Sequence, residues 1–186
     1  GILSHIEQND YILQYACSED SSLQEGSRFL LGDTYCEQTL LNNAVTFFAR
    51  ASGTDWERHP CHEVFNLEAY IGTPIYVNNR LYGTLNFSSA QARKHEFTRA
   101  EQELVQLMAQ WLGMELSHIQ FEEQLMEQRN TISHILESTA EAFVAVDRKQ
   151  TILYANSLTR SLLNLEAKRL VGHPLQTVAP ELLVLL

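Results

Sequence analysis

Apolar and polar positions follow two different periods along this chain, and the change of period divides it. The first half reads as short strands broken by polar turns. Ile2 to Glu7 and Tyr11 to Ala16 are strand-like runs on either side of Gln8-Asn9-Asp10, which reads as a turn. A polar loop runs from Ser18 to Gly26, and Leu30 to Cys36 then leads into a short helix ending near Leu41. Asn42-Asn43 breaks that helix, and Ala44 to Ala49 reads as a third strand. The loop Ser52 to His62 precedes a short helical stretch from Cys61 to Leu67. The clearest hairpin pairs Ala69 to Val77 with Leu81 to Ser89 around Asn78-Asn79-Arg80. Its small and apolar residues suit the middle of a sheet.

From Thr98 the period becomes helical. Thr98 and Glu101 form a capping box ahead of Leu104, each side chain reaching the other's backbone N–H at the helix start. Apolar residues then recur in sevens. Leu104, Trp111, Leu125 and Ile132 share one position, with His118 in the same series. Leu107, Met114, Phe121 and Ile135 share the position three further on, with Gln128 in theirs. Eight of these ten positions are apolar, sustained over more than four heptads, which predicts a coiled coil. The expected partner is a second copy, a homodimer paired in parallel through residues 104–135, with His118 and Gln128 fixing register at some cost in stability. A single amphipathic helix docked on its own domain would account for Leu104 to Met114 and leave Phe121 to Ile135 uncovered.

After Glu137 the strand pattern returns. Ala142 to Val146 and Thr151 to Ala155 flank the turn Asp147-Arg148-Lys149-Gln150, and Asn156-Ser157 caps a helix running through Leu163. Leu170-Val171-Gly172-His173-Pro174 closes that helix.

Charge narrows the partners. The net charge of −10, from 23 acidic and 13 basic residues, repels phosphate backbones and argues against nucleic acid. No apolar run is long enough to span a bilayer, and Leu182 to Leu186 is too short. No basic region precedes an apolar core at Gly1 to His5, so no signal peptide is read there. Cys17, Cys36 and Cys61 are odd in number and widely spaced, which fits a reducing cytoplasm and small buried side chains rather than a disulfide framework.

Four stretches together resemble a GAF domain over residues 1–123: Leu31-Gly32-Asp33-Thr34-Tyr35-Cys36, Tyr70-Ile71-Gly72-Thr73-Pro74-Ile75, Tyr82-Gly83-Thr84-Leu85-Asn86-Phe87 and Phe97-Thr98-Arg99-Ala100-Glu101. Tyr154-Ala155-Asn156 and Leu170-Val171-Gly172 carry a resemblance of residues 133–186 to the first half of a PAS domain. The resemblance implies an α+β fold. It comprises a GAF-like antiparallel sheet flanked by helices, a long C-terminal coiled-coil helix, and an incomplete PAS-like α/β segment. The implied boundaries are 1–97 for the GAF core, 98–138 for its C-terminal helix continuing as a signalling coiled coil, and 139–186 for a truncated PAS half. The helix that usually opens a GAF domain has no counterpart before Ile2, and the strands that complete a PAS sheet are not found after Leu186.

GAF domains are sensory modules. The resemblance therefore implies a non-catalytic segment of a cytoplasmic two-component protein, such as a sensor histidine kinase or a response regulator. It would sense a small molecule in the GAF pocket and relay through a dimeric helix to the PAS and output domains of the same chain. Two alternatives stay open: a photoreceptor with a bilin on Cys61, and a scaffold that only dimerises, with no ligand. No cofactor is otherwise expected.

Arg58-His59-Pro60-Cys61-His62 is the densest chemical cluster. Phytochrome-like GAF domains carry a Cys-His pair just before the same strand, the Cys bonded to a tetrapyrrole, and Cys61-His62 stands at a similar distance before Tyr70. A thiolate beside a His is also a plausible nucleophile. His59, Cys61 and His62, with Cys36, lack the spacing of a common zinc motif. The plain reading is a loop and short helix begun by Pro60, with Cys61 facing inward. The pocket candidates are Tyr35, Cys36, Phe47, Trp56, Cys61 and His62, together with Phe65, Tyr70 and Asn86; Tyr76 joins the same aromatic set, and several of these rings could equally be plain core. His134 superficially resembles a phosphoaccepting histidine, but its surroundings read as a solvated coiled-coil position, and His95-Glu96 reads as a loop pair. No Ser/His/Asp set, Gly-rich phosphate loop or HExxH appears in the sequence.

Overall fold

A computed structural model describes residues 1–17, 23–164, 170–178 and 180. The chain separates into two compact units, residues 1–120 and 121–186.

In the first unit six strands form one antiparallel sheet. They are β1 (Ile2–Glu7), β2 (Asp10–Ala16), β3 (Arg28–Leu30), β4 (Thr46–Phe48), β5 (Ala69–Val77) and β6 (Arg80–Ser89), in the order β3-β2-β1-β6-β5-β4. The β5–β6 hairpin lies inside the sheet, as its apolar runs require. Its turn residues Asn78 and Asn79 both adopt positive φ, which asparagine tolerates and which matches the twist of the flanking strands. The register of β1 against β6 places His5 opposite Gly83. A Cβ on Gly83 would stand 1.8 Å from the Ser4 carbonyl oxygen, so only glycine lets the two strands approach there.

The structure adds one strand that the sequence pattern does not announce. Arg28–Leu30 pairs with the start of β2, and three residues are too few to show a period. The third expected strand shrinks from Ala44–Ala49 to Thr46–Phe48, and the helix expected over Cys61–Leu67 is α2, Pro60–Phe65. Asn66 ends α2 in the left-handed region, as Asn43 ends α1 (Cys36–Asn42). The polar loop expected from Ser18 lies partly outside the described residues.

The two faces of the sheet carry separate cores. On one face, α1, α2 and their connections cover Tyr11, Tyr35, Cys36, Phe48, Cys61 and Tyr70. On the other, Ile71, Ile75, Val77 and Leu85 meet Val105 and Ala109 of α3 (Arg99–Ser138), a single helix of 40 residues. The capping box forms as the sequence predicts: Glu101 accepts the Thr98 backbone N–H at 2.7 Å, and Thr98 Oγ1 accepts the Glu101 N–H at 3.3 Å.

Within the stretch Leu104 to Met114 α3 does dock on its own sheet, and the residues it buries there are Val105, Ala109 and Gly113. A Cβ at Gly113 would come within 2.3 Å of the Tyr76 carbonyl oxygen, so the helix lies as close to β5 as its backbone permits. Small side chains let the backbones approach. The large heptad residues Leu104, Leu107, Trp111 and Met114 consequently turn away from the sheet, each more than half exposed.

The second unit contains the strand pair β7 (Val144–Val146) and β8 (Ile152–Ala155), followed by α4 (Ser157–Leu163) and a short helix over Leu175–Val178. Asn156 caps α4 by accepting the Thr159 N–H at 3.0 Å, and its side-chain nitrogen donates to the Glu141 carbonyl at 2.8 Å. Glu137, in the last turn of α3, accepts the Ser157 N–H at 2.7 Å and pairs with Arg160 at 3.2 Å. Ile152, Ala155, Leu170 and Leu175 form a small core of their own.

Candidate functional site

A cavity of about 880 Å³ opens on the α1–α2 face of the first unit. Tyr11 and Leu13 reach it from β2, Phe29 from β3, Tyr35 and Cys36 from the start of α1, and Cys61, Val64 and Phe65 from α2. Tyr70 and the pair Asn86 and Ser88 complete it from β5 and β6. The alternation of the strands explains the set: Asn86 and Ser88 share one face of β6, while Leu85 and Phe87 pack on the α3 side.

Six of the nine candidate residues meet at this cavity: Tyr35, Cys36, Cys61, Phe65, Tyr70 and Asn86. Three stand elsewhere. Phe47 belongs to the core on the opposite face, edge-on to Phe97 at 6.2 Å. Trp56 stacks on Phe48 at 4.7 Å and closes the core behind Tyr35 rather than lining the opening. His62 turns to Glu68, its Nε2 3.2 Å from the carboxylate. Tyr76 lies outside the cavity too, with its hydroxyl bonded to Asn43. Tyr11, Leu13, Phe29, Val64 and Ser88 were not among the candidates. The period of two in β2 and β6 was their available signal, but it needs to be known which face is covered.

The floor of the cavity is a closed polar network. Asn86 Nδ2 donates to the Tyr11 hydroxyl at 3.1 Å and to Cys36 Sγ at 3.3 Å. The Tyr70 hydroxyl donates to Cys36 Sγ at 3.4 Å and lies 2.7 Å from Thr39 Oγ1. Tyr35 donates to the Leu67 carbonyl at 3.1 Å. Among the described residues, no buried side-chain nitrogen or oxygen lacks a partner. Burial pushes the Tyr11, Tyr35 and Tyr70 phenols and the Cys36 thiol upward, and it pushes the Cys61 thiol up to about 12. These groups stay protonated at neutral pH.

The histidines flanking Cys61 play other parts. His59 Nδ1 accepts the Cys61 N–H at 3.1 Å, capping α2 ahead of Pro60. Burial lowers the His59 pKa, which keeps that nitrogen an acceptor. Neither imidazole draws a proton from Cys61 in this arrangement, so the thiolate chemistry open to a Cys-His pair has no base. Among the described residues no group of three or more His, Cys, Asp or Glu side chains is placed to hold a metal ion.

Comparison with known proteins gives the geometry its context. The model of the GAF domain matches residues 5–116, and the model of the PAS fold matches residues 130–182. A search of curated proteins gives no match. Among solved structures, the Escherichia coli DhaR(N)–DhaL complex matches with a TM-score of 0.50 at 18% identity, over 75% of this chain and 45% of that one. The present chain thus spans less than half of that relative. The GAF domain of a two-component sensor histidine kinase from Bacillus halodurans matches at TM-score 0.50 and 15% identity, over 64% of this chain and 82% of that one. The blue-light-absorbing form of the PixJ GAF domain from Thermosynechococcus elongatus matches at TM-score 0.51 and 13% identity, over 68% and 79%. At these identities the likeness is one of fold. With more than half of its length matched by the family model, the chain belongs to the GAF domain family and carries, later in its sequence, a segment of PAS fold, the two being non-catalytic sensory domains of signalling proteins.

Proposed function

We propose that the chain is the sensory and relay segment of a two-component signalling protein, binding a small molecule in the GAF cavity and passing the signal along a paired α3 to the PAS and output domains. In this reading residues 1–97 are the sensor core, 98–138 the relay helix and 139–186 the start of the PAS domain. Tyr35, Cys36, Cys61, Phe65, Tyr70 and Asn86 belong to the ligand site. The segment works in the cytoplasm, where its three free thiols stay reduced. Among the described residues no helix is long and apolar enough to cross a membrane.

The observation that carries the reading is the stripe on α3. One face of the helix is fixed to the sheet through Val105, Ala109 and Gly113. Another presents Trp111 at 59% exposure, Phe121 at 65%, Leu125 at 58% and Ile135 at 58%. An apolar stripe of this length, broken only at His118 and Gln128, is more than a soluble monomer leaves open, and its seven-residue repeat is the seam of a two-stranded coiled coil. The helix that carries the seam also backs the sheet whose other face holds the cavity. A ligand that favours one packing of that sheet therefore biases one packing of the helix pair.

Light scattering on the eluting protein tests this. The chain should run at about twice its 21.2 kDa mass, and the double substitution Trp111→Asp with Leu125→Asp should halve that. A wild-type mass of one chain, or a dimer untouched by the double substitution, would remove the relay.

A further inference from the structure

We propose that the short helix in the cavity wall is held by a histidine cap that acid releases, so that the wall at Cys61, Val64 and Phe65 loosens in mildly acidic medium. The proposal concerns this wall alone and stands whether or not α3 pairs. α2 has six residues, Pro60–Phe65, and brings those three side chains to the cavity. A helix of that length has little hold of its own, and Cys61 is its buried residue. The N–H groups of its first turn need acceptors. His59 supplies two: Nδ1 accepts the Cys61 N–H at 3.1 Å, and the His59 carbonyl accepts the His62 N–H at 2.9 Å.

Histidine is an unusual choice at this position. Serine, threonine, asparagine and aspartate are the preferred caps. The chain uses such residues at other helical starts: Thr54 before Trp56, Thr98 on α3 and Asn156 on α4. None of those three titrates near neutrality, and His59 does. A neutral imidazole offers one acceptor nitrogen; an imidazolium offers none. A proton on Nδ1 would set one N–H against another at the point where α2 begins.

The surroundings fix the direction. The His59 ring packs on Tyr35 at 4.9 Å and lies 6.2 Å from Trp56 in the turn Asp55–Arg58. Burial there lowers its pKa from the ordinary 6.5, and the carboxylates of Glu37 in α1 and Asp33 ahead of it oppose the shift. The pKa is thus lower folded than unfolded, so the cap's stabilisation is whole above about pH 6.5 and is lost as pH falls below it. Once α2 opens, the ring is an ordinary imidazole that takes up a proton, and each pH step below 6.5 favours the opened state by up to about tenfold. His62, the other histidine of α2, faces Glu68 at 3.2 Å, a contact that a proton on its ring strengthens rather than breaks.

Hydrogen–deuterium exchange of the full chain at pH 7.5 and pH 5.0, with labelling times scaled for the intrinsic rate, tests this by mass spectrometry of the peptide covering residues 60–66. Wild-type protection of that peptide should fall about fivefold or more at pH 5.0, while peptides of β5 and β6 keep theirs. His59→Asn, which caps without titrating, should show the same protection at both pH values. His59→Ser, a second cap that does not titrate, should behave alike, and circular dichroism shows that each variant is folded. His62→Gln should leave the wild-type fall in place. Unchanged wild-type protection, a fall of equal size in both His59 variants, or a fall abolished by His62→Gln would overturn the proposal. So would an equal loss across β5 and β6, which marks unfolding of the whole sheet.

Discussion

Cys61 illustrates how burial decides chemistry at the scale of a residue. Next to two histidines in sequence, it invites a reading as a nucleophile or an attachment point. In the fold, one histidine caps α2 and the other faces Glu68, while the thiol is only 4% exposed and pushed up to about 12. A thiol needs its thiolate form to react. With iodoacetamide at pH 8, the exposed Cys17 should therefore be alkylated first, and Cys36 and Cys61 only after denaturant is added, as read by mass spectrometry of the peptides. Rapid alkylation of native Cys61 would contradict its burial and its raised pKa. Glu68 is a second instance. Hydrogen bonds from the Ser52 hydroxyl and N–H, then from His62, hold its carboxyl at about 2. Its pKa is lower folded than unfolded, so the stabilisation is complete above the ordinary carboxylate range and is lost as pH falls from about 4.5 to about 2. Glu68→Gln should lower the unfolding temperature at pH 7, and the gap to wild type should shrink at pH 2.5; a constant gap would contradict this account.

At the scale of elements, legibility follows the length of the repeat. The β5–β6 hairpin, the capping box and the long helical run of α3 each extend over many residues or use a specific turn chemistry, and the structure has the hairpin, the cap and the helix where the sequence reading puts them. β3 pairs only at Asp10, Tyr11 and Ile12 and carries no period of its own. The residues on the docked face of α3 are hidden for a different reason. Large apolar residues dominate a sequence pattern, but close packing on β5 selects Val105, Ala109 and Gly113. Phe47 and Trp56 were placed in the cavity because aromatic residues fill cores and pockets alike; which face of the sheet a ring meets depends on strand pairing. Gly113 carries a testable consequence. Gly113→Ala would gain about 1 kcal/mol of helix propensity in an exposed helix. Here its Cβ would collide with the Tyr76 carbonyl, so the substitution should lower stability by about 1–3 kcal/mol in urea unfolding. A stabilised variant would show that α3 is not seated on β5 this closely.

At the scale of the whole molecule, the family was legible because its motifs lie where backbone geometry is demanding: the glycine in Tyr82-Gly83-Thr84 beside β1, and the capped start of α3. Tyr35, Cys36, Tyr70 and Asn86 could be named because they lie in the family's motifs, and Cys61 and Phe65 because they lie in or next to the Cys-His cluster before Tyr70. Tyr11, Leu13, Phe29, Val64 and Ser88 come from β2, β3, α2 and β6, and only the folded sheet brings them together. The cavity lies on one face of the sheet and α3 on the other, and the proposed relay requires α3 to pair in parallel between two copies. Nitroxide labels at Gln106 and, in a separate sample, at Arg129, both in a Cys17→Ser background, read it directly by pulsed electron paramagnetic resonance. Helices paired side by side lie about 8–10 Å apart, so each label should give one narrow distance of about 20–35 Å between copies once the label arms are included. A distance of about 40 Å or more at Gln106, expected for an antiparallel pair centred on residues 104–135, or no dipolar signal at either position, would contradict it.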